Sequence, residues 1–237
     1  MSSVFREFGA GLTAFEAPLD ARLAFIRRTY LHLTGAVLAF AGLCAAFYAA
    51  HVGERVAEFL SGLRFGIWLV LGAFLLVAWM ARGLARSTNS PALQYLGLGG
   101  YVGALALIFS PIITMAANHY PGVLPTAAGL TVLAFGGLSA YVLTTKKDFS
   151  FLGPILGIAG LVALGTIGAS WIFDWNLGIW FSAGMIIVMI GSILYDTSKI
   201  VHQYRTDQHV AAALELFASV AILFMYILRL LMQLQRR

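Results

Sequence analysis

Residues 210–232 read VAAALELFASVAILFMYILRLLM, a continuous run in which Glu215 and Arg229 are the charged residues. A helix rises 1.5 Å per residue, so about 20 predominantly apolar residues cross the hydrocarbon core of a bilayer. This run is therefore long enough and apolar enough to form a membrane-spanning helix.

Six further apolar runs precede it, separated by short polar breaks. The composition agrees with a membrane protein, because 60% of the residues are hydrophobic and 11% are charged, whereas about a quarter are charged in a typical soluble domain. The runs are numbered here as segments one to seven, at residues 30–50, 65–83, 93–116, 124–145, 151–173, 177–197 and 210–232. The sequence predicts an all-α membrane protein, a bundle of seven transmembrane helices formed by residues 30–237.

Residues 1–29 have a different character. Between Phe5 and Arg28 the apolar residues Phe15, Leu19 and Leu23 stand among charged side chains, a pattern typical of an amphipathic helix at a membrane surface. We expect a cytoplasmic amphipathic N-terminal segment here. A frayed, partly disordered tail is the alternative.

The basic residues predict the orientation. Ten of the fifteen lie before segment one or in the loops after segments two, four and six, and five lie on the other side. Cytoplasmic loops carry an excess of Lys and Arg, so the N-terminus is expected in the cytoplasm. An odd number of spans then places the C-terminus outside, on the other side of the membrane. The net charge of +5 is spread over these loops, which favours contact with the lipid bilayer and argues against nucleic-acid binding.

Acidic residues inside the membrane are the best candidates for function, because a carboxylate there is costly unless it is paired, protonated or hydrated. Eight of the ten acidic residues fall in the tail or the loops. The remaining two are Asp196, near the inner end of segment six, and Glu215, in segment seven.

The sequence lacks the patterns of an enzyme or of a cofactor-binding protein. Tyr195-Asp196 is similar to part of an intramembrane aspartyl protease site, but such a site needs a second aspartate, and its Gly-x-Gly-Asp motif is absent. A single cysteine, Cys44, allows neither an internal disulfide nor a metal site built on thiolates. We expect a non-enzyme without a tightly bound cofactor or metal, with Ca²⁺ or H⁺ as the only candidates for transient binding.

Four motifs together resemble the Bax inhibitor family, the transmembrane Bax-inhibitor-motif proteins. They are AFIRRTY at 24–30, KKDFSFL at 146–152, LYDT at 194–197 and YILRLL at 226–231. Each is weak alone, but their order and spacing extend over essentially the whole chain. The resemblance implies six helices around a central, C-terminal seventh.

The resemblance also implies functional positions. In family members described as pH-sensitive calcium leaks, an aspartate on helix six pairs with one on helix seven, and an acidic residue and an arginine on helix two assist. Asp196 matches the first aspartate, but the second position is Ser219, the acidic position falls at about Val70, and the arginine is displaced to Arg82. A serine at 219 resembles the bacterial YccA-type branch, whose members are associated with modulating the membrane-anchored AAA protease FtsH.

Two hypotheses follow for the function. The first is a non-catalytic regulator of a membrane protease or another membrane complex, and the second is a proton-gated calcium or cation leak running past Asp196. For the second, Glu215 is expected to replace the missing aspartate, because it lies one helical turn from Ser219 on the same face. Two such carboxyls cannot both ionise easily in a low-dielectric site, so they would share a proton and sense pH. Lys199 or Arg205 would offset the charge.

Overall fold

The computed structural model describes residues 13–87, 90–145 and 147–236, and within that part of the chain it contains eight α-helices. They are α1 (Leu19–Ala49), α2 (Val52–Ser61), α3 (Gly66–Ala85), α4 (Pro91–His119), α5 (Val123–Thr145), α6 (Leu152–Ile172), α7 (Ile179–His202) and α8 (His209–Gln235). All but α2 are long and apolar enough to span a membrane. The predicted bundle of seven transmembrane helices is confirmed.

The C-terminal helix α8 is central, as the family resemblance implies. In its most apolar 18-residue window 78% of the residues are buried, against 50% or less in the other six spanning helices. Small residues are part of this enclosed surface, because the alanines at 211–213 and Ala218 are all buried. Small side chains let helices approach closely in membranes, where no hydrophobic effect drives one helix against another.

The N-terminal segment differs from the expected separate surface helix. Its residues from Leu19 onward are the first turns of α1, which continues without a break to Ala49. Residues 1–12, including the start of the predicted amphipathic stretch, lie outside the described residues.

Residues 13–17, here called the N-terminal turn, pack on the loop that joins α7 to α8. The backbone N–H of Ala14 donates to the carbonyl oxygen of Tyr204 at 2.8 Å, and Ala14 is completely buried. The Phe15 ring stacks on the His202 ring with 5.2 Å between centroids. Arg22 Nε holds the turn from α1 by donating to the carbonyl of Ala14 at 2.7 Å. These contacts place the N-terminal turn and the α7–α8 loop at the same end of the bundle.

The short helix α2 does not belong to any of the long apolar runs, and the sequence did not predict it. It has ten residues with charged and apolar side chains on different faces, as in a helix lying along a membrane surface. It is attached closely to α4, because a Cβ added to Gly53 would come within 2.5 Å of the backbone oxygen of Ser110. Glycine is thus required at this crossing.

Candidate functional site

The two carboxyls singled out by the sequence lie between α7 and α8, which run antiparallel. Asp196 is 8% exposed and Ser219 is 6% exposed. The hydroxyl of Ser219 donates to Asp196 Oδ2 at 2.5 Å. The structure therefore joins the two positions that the family resemblance pairs, with serine in the place of the second aspartate.

A second contact between the same helices lies one turn nearer the α7–α8 loop. Glu215 Oε2 is 3.6 Å from Lys199 Nζ, and Glu215 Oε1 accepts a hydrogen bond from Arg86 Nη2 at 2.8 Å. The Glu215 side chain is 11% exposed, so this carboxylate is mostly enclosed by protein and neutralised by two cations. Arg86 follows the last residue of α3, so the contact connects three helices.

The helix register explains why these pairs form. Asp196 and Lys199 are three residues apart on α7, and Glu215 and Ser219 are four apart on α8, so each pair shares a helix face. In antiparallel helices the positions 196 and 199 then lie opposite 219 and 215. The same register brings Ser182 to Gln233 near the other end, where the serine hydroxyl donates to Gln233 Oε1 at 3.1 Å.

The expected carboxyl pair takes a different form. Among the described residues Asp196 is hydrogen-bonded by Ser219, and Glu215 is held by Arg86 and Lys199, so neither carboxyl has the other as its direct partner. The cause is the register, because Glu215 is level with Lys199 and one turn away from Asp196. Lys199 offsets the charge as expected, whereas Arg205 pairs with Asp207 at 3.1 Å.

Arg82 lies within electrostatic range of both Asp196 and Glu215. Its side chain is exposed, and within the described part of the chain it makes no ion pair with either carboxyl. Arg86, one turn further along, makes that contact instead.

Two contributors to the site were missed in the sequence. The sequence used Arg86 only to predict the orientation of the protein in the membrane. Arg86 lies 129 positions from Glu215, and nothing in the sequence indicates that the two side chains meet. Tyr204, in the α7–α8 loop, is 5% exposed, and burial raises its pKa above the usual value, so its hydroxyl stays protonated.

Lys199 Nζ lies 5.5 Å from the centroid of the Tyr195 ring and 5.9 Å from that of Tyr204. These rings cover the ammonium group where it meets Glu215.

The oxygen atoms of this site are engaged by other side chains. Asp196 accepts a hydrogen bond from Ser219, and Glu215 is paired with Arg86 and Lys199. Nowhere in residues 13–87, 90–145 or 147–236 do three His, Cys, Asp or Glu side chains form a group able to hold a metal ion.

Comparisons with known proteins show which family the chain matches. A family model described as inhibitor of apoptosis-promoting Bax1 matches residues 22–236. The modulator of FtsH protease YccA from Escherichia coli K12 is 36% identical over 149 residues, which are 62% of this chain and 67% of that protein. The Golgi anti-apoptotic protein of Vaccinia virus strain Lister is 28% identical over 236 residues, which are 97% of this chain and 94% of that protein.

A relative from Pseudomonas aeruginosa is 35% identical over 131 residues, and the chain spans 59% of its length. The family model extends further, from α1 to the last turn of α8, and so includes every residue of the site described above. This multi-pass membrane protein belongs to the Bax inhibitor family.

Proposed function

We propose that this chain is a bacterial inner-membrane protein that acts as a non-catalytic regulator of a membrane-anchored AAA protease of the FtsH type, or of another membrane complex. The hydrogen bond from Ser219 to Asp196 carries the proposal. A serine hydroxyl does not titrate in the physiological range, so this contact keeps α7 and α8 together without the charge repulsion that two carboxylates would create. A bundle held in this way suits a protein that presents a constant surface to a partner.

The E. coli relative is named a modulator of FtsH protease, which supports the choice of partner. Non-catalytic action is supported by the site itself, whose ionisable groups are engaged by Ser219, Arg86 and Lys199 and not by an activated nucleophile.

The N-terminal tail is the proposed contact with the protease, and the structure defines how it is to be tested. Deleting residues 2–22 would remove the buried Ala14 and the beginning of α1, so loss of function would be confounded with misfolding. Deleting residues 2–12 leaves the N-terminal turn and its bond to Tyr204 in place.

The test uses the full chain co-reconstituted with an FtsH-type protease and a membrane substrate. We expect the intact chain to change the rate of substrate degradation and the 2–12 deletion to abolish that change. A variant with the same eleven residues in shuffled order is the matched control for tail length. Degradation that responds equally to the intact and the shortened chain would reject the tail as the contact.

A proton-gated calcium or cation leak is the second candidate, and one observation favours it. Asp196 and Glu215 lie on neighbouring turns of one helix interface, within electrostatic range of each other. Calcium flux into liposomes that contain this protein alone separates the two candidates. A pure regulator gives no flux, whereas a leak gives flux that Asp196→Asn removes.

A further inference from the structure

Arg82 lies one turn before the end of α3 and is the starting point for an inference about lipid binding. It is exposed, and among the described residues its guanidinium neither donates a hydrogen bond nor forms an ion pair. A guanidinium has five N–H donors and stays charged in proteins. Within a membrane-spanning helix those donors are costly unless an acceptor meets them.

The nearest acidic groups are already engaged. Asp196 is bonded to Ser219, and Glu215 is bonded to Arg86 and Lys199. Three cations, Arg82, Arg86 and Lys199, therefore face two carboxyl groups, and the site keeps an excess positive charge even if both carboxyls are ionised. None of the described residues therefore supplies an acceptor for Arg82, and water or a lipid headgroup is the acceptor available to it.

The position of Arg82 indicates the chemistry of that acceptor. It lies about 6 Å before Arg86 along the helix, in the last turn of α3, and a membrane-spanning helix is expected to end where the hydrocarbon core meets the lipid headgroups. Phosphate oxygens are the acceptors at this level, and a guanidinium binds them with two parallel hydrogen bonds. Basic sites between transmembrane helices are known to hold anionic headgroups.

We propose that Arg82 binds the phosphodiester of an anionic phospholipid at the end of α3, with the half-exposed Arg86 as the neighbouring cation. The helix dipole also favours a cation at this end of α3. The dipole does not supply an acceptor for the guanidinium. Among the described residues, the Arg82 side chain donates no hydrogen bond to a helix carbonyl. Arg64 offers a matched comparison, because it is an exposed arginine at the other end of α3, with its guanidinium 6.0 Å from the centroid of the Phe65 ring.

Native mass spectrometry of the full-length protein tests the proposal by counting lipid bound to the folded monomer. The probes are phosphatidylglycerol and phosphatidylcholine with identical acyl chains, and glycerol phosphate as the soluble headgroup. For the wild type we expect phosphatidylglycerol to bind more tightly than phosphatidylcholine. Arg82→Gln should weaken that binding about fivefold, the value of one basic side chain at an anionic surface. Arg64→Gln should leave it unchanged.

Arg82→Lys separates charge from geometry, because it keeps the cation and loses the two-bond fork. Binding intermediate between wild type and Arg82→Gln supports the proposed contact. Three results overturn it: equal binding of phosphatidylglycerol by Arg82→Gln and wild type, equal weakening by Arg64→Gln, or wild-type binding of phosphatidylcholine as tight as that of phosphatidylglycerol. Binding of glycerol phosphate as tight as that of the lipid would overturn the lipid and leave a soluble anion site.

Discussion

Ser219 donates a hydrogen bond to a carboxyl group that is almost completely buried. Ser219→Ala removes the donor and leaves Asp196 without its partner, so we expect a loss of about 1–3 kcal/mol in stability. Ser182→Ala is the matched control, since it removes a serine donor from the same helix pair where the acceptor is a neutral amide. Thermal unfolding in detergent measures both variants. An equal loss of stability in the two variants would mean that the hydrogen bond to Asp196 contributes no more than the hydrogen bond to Gln233.

The Arg86–Glu215 pair is partly enclosed by protein, and this predicts measurable coupling. A double-mutant cycle with Arg86→Gln and Glu215→Gln should give an interaction free energy of about 1 kcal/mol or more. The exposed Arg205–Asp207 pair, with side chains 41% and 44% exposed, provides the comparison, and its coupling should be close to zero. Additive effects of Arg86→Gln and Glu215→Gln would show that the salt bridge does not join α3 to α8.

Asp196 and Glu215 stand out in the sequence because carboxyl groups within apolar runs are rare, whereas Ser219 was identified through the family resemblance. The sequence did not identify their partners. Contact between Asp196 and Ser219 follows from the register of two antiparallel helices, and contact between Glu215 and Arg86 follows from where α3 ends against them. Both depend on packing between helices, which spacing along one helix does not encode.

At the scale of elements, the spacing of glycines along one helix does not show which of them lie at a helix contact. Gly99 and Gly103, four residues apart on α4, have open space where a side chain would begin, whereas Gly53 in the unpredicted helix α2 meets the backbone of α4. A small-residue motif reveals that close approach is possible but not which face is used. The long apolar segments were predictable because crossing a bilayer imposes a minimum length, and no such constraint acts on α2.

This difference predicts opposite outcomes for two glycine substitutions. Gly53→Ala should destabilise the protein, because its Cβ would lie 2.5 Å from the backbone oxygen of Ser110 and backbone cannot move aside easily. Gly42→Ala, in α1, meets nothing within 4 Å and should be neutral or stabilise the helix by up to about 1 kcal/mol. Thermal unfolding of the two variants side by side is the measurement. A Gly53→Ala protein as stable as Gly42→Ala would contradict the close packing of α2 on α4.

At the scale of the whole molecule, the structure groups the charged ends in a way that bears on orientation. The N-terminal turn, Arg86 and the α7–α8 loop lie at one end of the bundle, joined by the Ala14–Tyr204 and Arg86–Glu215 contacts. Arg55 in α2 and Arg64 before α3 belong to the connection at the other end of α1 and α3. Arg86, Lys199 and Arg205 of the larger group of basic residues therefore lie at the opposite end of the bundle from Arg55 and Arg64 of the smaller group.

Basic residues are retained on the cytoplasmic side during insertion, so we predict a cytoplasmic N-terminus and, after seven spans, a periplasmic C-terminus. An alkaline phosphatase fused after Arg237, which is active only outside the cytoplasm, should be active, and the same enzyme fused within the α7–α8 loop should be inactive. A fluorescent protein that matures only in the cytoplasm should give the reverse at each position. Cytoplasmic activity at Arg237 together with a cytoplasmic α7–α8 loop would contradict the prediction, because α8 would then have to enter and leave the membrane on the same side.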